Sequence, residues 1–200
     1  MPRILGTQVP ARFPDDGPIR VFLMGEAPGP RGADQSGIPF WGDRAGLLVY
    51  RALAQAGLAE VPEAAWGDWD GARFRELGLA PRLTGAALGN AFPCCPTSDG
   101  DSFRAPTDRE LKDPGNLARL ADELGRAAVR CRGPLRVIGM GRRAQWILER
   151  LEGLPPLDVQ VLPHPSAQGL LQAAPDKGRG MKLAELQAAW RHRLEVLLRP

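Results

Sequence analysis

Cysteine, histidine and tyrosine are scarce: three, two and one residues in a chain of 200. Cys94, Cys95 and Cys131 are too few and too unevenly spaced for a disulfide framework, and two adjacent thiols cannot both ligate one metal without strain. A reduced, cytoplasmic chain is expected. No HExxH, CxxC or Walker pattern occurs, so metal-dependent or nucleotide hydrolysis has no support and no metal site is expected. No stretch reaches about 18 uncharged apolar residues, and Met1 to Pro18 has no apolar core behind a basic flank. Neither a membrane span nor a signal peptide is expected. An excess of one charge sign is also missing. The 26 basic and 23 acidic side chains leave +3, which excludes a polybasic tail but allows a local basic face.

What is plentiful is Gly (24) and Pro (20), against an apolar fraction of 44%. That composition fills a real core and breaks the chain with many turns, so a single domain over residues 1–200 is expected. Short apolar runs at Ile19 to Met24, Ala86 to Phe92, Leu135 to Ile138 and Val159 to Leu162 each end in Gly, Pro or a polar cluster. They read as four buried strands, separated by amphipathic helices in an α/β alternation. Helices are expected over Ala45 to Ala56, from Thr107 with its Glu110 partner, from Asn116 with Leu117, Leu120 and Leu124 facing inward, and over Ala144 to Leu151. A separate final helix carries Leu183, Leu186, Trp190, Leu194 and Leu197 on one face. Pro93 to Pro106 and Gln172 to Gly180 read as long polar loops that could contact a ligand.

In an open parallel sheet, ligands bind beyond the carboxyl ends of the strands. The residues there are Gly25-Glu26-Ala27-Pro28-Gly29, followed by Phe40-Trp41-Gly42-Asp43; then Asn90; then Pro163-His164-Pro165-Ser166. A carboxylate, a carboxamide, an aromatic ring and a histidine are thus expected to converge. Taken alone, Asp43 is an ordinary helix N-cap, Trp41 packing, His192 a solvated residue and Cys131 a small core residue. Gly139-Met140-Gly141-Arg142-Arg143-Ala144 mimics a dinucleotide fingerprint, but no acidic residue ends the next strand. Close strand–helix packing explains those glycines.

Three segments, GEAPGPRGADQSGIPFWGDRAG from Gly25, NAFPCCP from Asn90 and HPS from His164, together resemble the uracil-DNA glycosylase superfamily. The opening GEAPG and Asn90 are similar to family four, whereas the spacing through GDRAG, with Asp43 before Arg44, is similar to family five. The resemblance implies a three-layer α/β/α sandwich around a four-stranded parallel sheet. It also implies a monomeric hydrolase that removes uracil from DNA, with DNA carrying a damaged base as its partner. Carried over by position, Gly25 to Ala27 line the base pocket, Phe40 stacks on the everted base and Asn90 reads its edge. His164 approaches the pyrimidine O2, Asp43 positions water, and Glu26 holds the alternative carboxylate position. Ser166, Ala167 and Gln168 form a loop that presses into DNA, and Arg44, Arg142 and Lys177 are candidate phosphate contacts. Both families carry four cysteines around a [4Fe–4S] cluster, and only Cys94 occupies a matching place, so no cluster is expected. The family-five spacing leaves open a broader substrate such as hypoxanthine or xanthine, and the missing cluster ligands leave open a damage-binding protein without turnover. The Pro93 to Pro106 loop exceeds the family pattern, which leaves Asp99 and Asp101 unaligned.

Overall fold

A computed structural model describes residues 3–199. The strands are β1 (Val21–Gly25), β2 (Ala59–Glu60), β3 (Arg82–Leu83), β4 (Ala86–Asn90), β5 (Leu135–Met140) and β6 (Leu157–Leu162). The helices are α1 (Ala33–Ser36), α2 (Arg44–Gln55), α3 (Gly71–Glu76), α4 (Asp108–Leu111), α5 (Pro114–Val129), α6 (Arg142–Leu148), α7 (Ala167–Ala173) and α8 (Leu183–Leu197), with 3-10 turns at Glu63–Ala65 and Pro175–Gly178. All four expected strands form, and they pair in parallel in the order β4-β1-β5-β6. The short β2 and β3 pair antiparallel as a separate ribbon.

Strand side chains alternate between two cores, the period-2 consequence of the pleat. Val21, Leu23, Leu88, Ile138 and Met140 face a core completed by α2 and α8, where Leu53, Trp190 and Leu194 are fully buried or nearly so. Phe22, Met24, Ala87, Leu135 and Val137 face the other, completed by Leu111, Leu120, Leu124 and Ile147. Helices therefore cover both sides of the sheet, giving the three-layer α/β/α architecture that continuous apolar strands require. The β4 edge is covered by the N-terminal segment, where Arg12 and Leu88 exchange backbone hydrogen bonds of 2.8 and 2.9 Å. No helix among the described residues is long and apolar enough to cross a membrane.

Local expectations hold in outline, but α6 runs over Arg142–Leu148 rather than Ala144 to Leu151, and Leu183 is 36% exposed rather than packed with Leu186, Trp190, Leu194 and Leu197. Thr107 and Glu110 form the reciprocal capping box of α4. The next helix starts at Pro114 rather than Asn116, because Asp113 caps it and proline is favoured at the first helical position. Ser166 to Gln168 are not a loop: Ser166 caps α7, accepting from the Gly169 amide at 3.1 Å, and Gln168 lies in its first turn. Gln172 to Gly180 is likewise partly ordered, comprising the end of α7 and the 3-10 turn.

Candidate active site

From β1 the chain moves outward to β4 and then crosses back to β5 on the other side. The crevice of such a sheet opens where the strand order reverses, at the carboxyl ends of β1 and β5. A cavity of about 1070 Å³ lies there, and Glu26, Ala27, Phe40, Asp43, Asn90 and His164 all line it. Arg44, Arg142, Ser166 and Gln168 line its outer part. Two expected residues do not. Lys177 lies on the exposed 3-10 turn outside this lining, and Gly25 stands behind the cavity wall.

The position of Gly25 explains why it must lack a side chain. Register pairs it with Asn90, and a Cβ there would sit 2.6 Å from Asn90 Oδ1 and 2.7 Å from the Phe40 ring. Strand pairing thus brings ring and carboxamide together across one bare Cα. Asn90 is 3% exposed, and its Nδ2 has no hydrogen-bond partner. A buried donor left unpaired costs about 1–3 kcal/mol, so such a group at a cavity wall is poised for a ligand acceptor.

Phe40 is a buried non-glycine residue at φ 60°, a left-handed conformation that costs on the order of 1–3 kcal/mol. Its surroundings fix it. Tyr50 Oη donates to the Pro39 carbonyl at 3.0 Å, Ser36 Oγ to the Trp41 carbonyl at 2.7 Å, and the Trp41 indole NH to the Leu79 carbonyl at 3.0 Å. Trp41 is fully buried among Tyr50, Trp69 and Phe74, confirming packing as its role.

Asp43 is both the N-cap of α2 and a wall of the cavity. Its Oδ1 accepts from the Gly46 amide at 2.7 Å. Oδ2 lies against Gly29 and Gly32, where a Cβ would come within 2.7 and 2.6 Å. Burial raises the carboxyl above its ordinary range, opposed by the Gly46 amide and by His164. Glu26 is anchored through a single oxygen. Oε1 accepts from the Arg143 amide at 2.9 Å, across a Gly141 whose Cβ would fall 2.4 Å from that oxygen. The glycines of the apparent dinucleotide motif therefore admit a carboxylate at Gly141 and pack against Leu148 at Gly139.

His164 Nδ1 accepts from the Ser166 amide at 3.2 Å. With that nitrogen engaged as acceptor, the neutral ring carries its proton on Nε2. Burial lowers the imidazole below its usual range, opposed by the Glu26 and Asp43 carboxylates.

Sequence reading missed the support beneath Asn90. Arg119 on α5 donates to the carbonyls of Asn90 and Ala91 at 3.0 and 3.1 Å and pairs with Glu123 at 2.7 Å. Asn116 Nδ2 donates to the Ala91 carbonyl at 3.0 Å. The only signal was polar residues on the inward stripe of an amphipathic helix.

The family model of the uracil DNA glycosylase superfamily matches residues 13–192. The chain belongs to that superfamily. Among curated proteins, the Type-5 uracil-DNA glycosylase of Thermus thermophilus is 36% identical over 97 residues. The match covers 48% of this chain and 37% of that protein, so it spans little more than a third of the relative's length.

The cysteines do not fit the cluster that the superfamily resemblance brought into question. Four thiolates are needed, whereas the chain has three cysteines. Cys131 is partly exposed beyond the end of α5, with Sγ 3.7 Å from the Pro134 carbonyl. Burial raises both neighbouring thiols, Cys95 to about 12. Among the described residues no group of three or more His, Cys, Asp or Glu is arranged to hold a metal ion.

Proposed function

We propose that this superfamily member is a monofunctional glycosylase that hydrolyses the N-glycosidic bond of uracil in DNA, working without an iron–sulfur cluster. The observation that carries the reading is the unpaired Asn90 amide beside the Phe40 ring in a cavity also lined by Asp43, Glu26 and His164. The relative named above for uracil-DNA glycosylase activity supports the same substrate class.

An everted uracil enters the crevice, stacks on Phe40 and offers a carbonyl to Asn90. Extrusion costs a few kcal/mol, least at a mismatch, so uracil opposite guanine is favoured. The C1′–N1 bond then breaks, its electron pair leaving with the base while the sugar becomes oxocarbenium-like. His164 Nε2–H donates to O2 and steadies the anion, a contribution of roughly 3–4 kcal/mol when a single such donor is removed. The Asp43 carboxylate faces the cation and orients water, whose oxygen bonds to C1′ and whose proton passes to the carboxylate or solvent. Glu26 adds negative charge at the same mouth. Arg44, Arg142 and Ser166 contact phosphates, and Gln168 presses on the strand from the first turn of α7.

The test is release of base from duplexes carrying a single uracil or hypoxanthine, read as alkali-labile strand scission, with and without an iron chelator. Uracil release unaffected by the chelator, from protein without stoichiometric iron, is expected. Release of hypoxanthine in preference would shift the substrate, and retention of the duplex without scission would leave a damage-binding protein.

A further inference from the structure

We propose that Phe103 is a stacking platform for a nucleobase beside the everted one, a contact that rests on the glycosylase reading above. Phenylalanine is normally buried, yet Phe103 is 45% exposed and lines the outer cavity. Leu183 and Val161, each 36% exposed, line the same cavity.

The segment that carries the ring is braced. Thr97 and Phe103 form an isolated antiparallel bridge, and the Arg104 amide donates to the Pro96 carbonyl at 3.1 Å. The Arg104 guanidinium forks onto Glu110 at 2.6 and 2.7 Å. At the tip, Asp99 Oδ1 accepts the amides of Asp101 and Ser102 at 2.9 and 2.7 Å, and the Ile4 amide donates to the Gly100 carbonyl at 2.9 Å. A backbone held this way loses little freedom when the ring makes contact, which lowers the ordering cost of binding.

Charge selects the occupant. Arg44, Arg142 and Arg193 are exposed and line the same cavity, so apolar rings and an anionic backbone are accommodated together. Aromatic stacking beside a cationic track is the recognition mode of an unpaired nucleic-acid strand. The cavity, about 1070 Å³, is slightly larger than the usual range for small-ligand sites and leaves room for a nucleotide next to the excised base.

Phe103→Ala and Phe103→Trp test this with a duplex carrying uracil, or a stable abasic analogue, flanked by 2-aminopurine. Phe103→Ala is expected to weaken binding about tenfold or more and to relieve 2-aminopurine quenching. Its melting temperature should stay that of the parent. Phe103→Trp should restore both affinity and quenching. Equal affinity of parent and Phe103→Ala, or quenching indifferent to the ring, would overturn stacking while leaving uracil excision intact. An effect confined to inhibition by free uracil would overturn it too, assigning the ring to the excised base. If the parent releases no uracil, the glycosylase reading falls and the abasic-duplex arm still decides the stacking contact.

Discussion

Asp43 does two jobs with two oxygens, and the division makes its charge separable from its fold. Asparagine keeps the acceptor that caps α2 through the Gly46 amide, and Asn is as good an N-cap as Asp. Asp43→Asn should therefore fold normally, bind DNA as the parent does, and lower the single-turnover excision rate by about a hundredfold or more; an unchanged rate would remove Asp43 from the chemistry. The pH dependence follows from the same groups. Because burial raises Asp43, the parent rate should be level near neutrality and fall in acid, with a midpoint above the ordinary carboxyl value of about 3.9. In Asp43→Asn that acid fall should disappear, because the carboxyl whose protonation causes it is gone. For stability the signs are opposite. The raised Asp43 favours folding below its unfolded pKa and loses that contribution as pH rises through the folded one. The lowered His164 favours folding above about pH 6.5 and loses its contribution as pH falls through its folded value.

Among the elements, α5 links the core to the site. It buries Leu120 and Leu124 like any amphipathic helix, yet also buries Asn116 and Glu123. Those polar groups are satisfied by Arg119 and by the backbone that carries Asn90. Arg119→Met should destabilise by about 3–5 kcal/mol, since it leaves Glu123 without its partner. Adding Glu123→Met should recover most of that stability without restoring the hold on the Asn90 carbonyl. Denaturant unfolding and excision kinetics on the double variant should then part company: near-parent stability, with a raised KM for uracil-containing DNA. A double variant with parent KM would reduce this polar group to a structural role.

At the scale of the molecule, weak net charge and a cationic cavity mouth predict a short footprint. With about three to five phosphates contacted, a plot of log affinity against log salt should fall with a slope of about −3 to −4.5. Titration of an abasic duplex between low and moderate salt measures it, and a slope near zero would exclude Arg44 and Arg142 as phosphate contacts. The ties of the N-terminal segment also act at this scale. Asp34, 1% exposed, accepts the amides of Leu5 and Gly6 at 2.8 and 2.9 Å, and Val9 donates to the Pro93 carbonyl at 2.8 Å. That segment is thus pinned to α1 and to the Pro93 to Pro106 stretch by hydrogen bonds.

Composition and local pattern were enough to read the strands, the long helices and which polar residues follow the strand ends, because apolar runs, caps and strand ends are local signals that need no partner. Ser166 was legible as a residue but not as a helix cap, since α7 is too short to announce its period. Which strands neighbour each other, and with that the place of the crevice and the meeting of Asp43, Asn90 and His164, came from the folded chain. It alone put Gly25 between a ring and a carboxamide and opened Gly141 to Glu26. It also set Arg119 beneath Asn90 and left Phe103 at the rim. Each of these is a contact between residues distant in the chain, fixed by strand register and close packing rather than by composition or spacing.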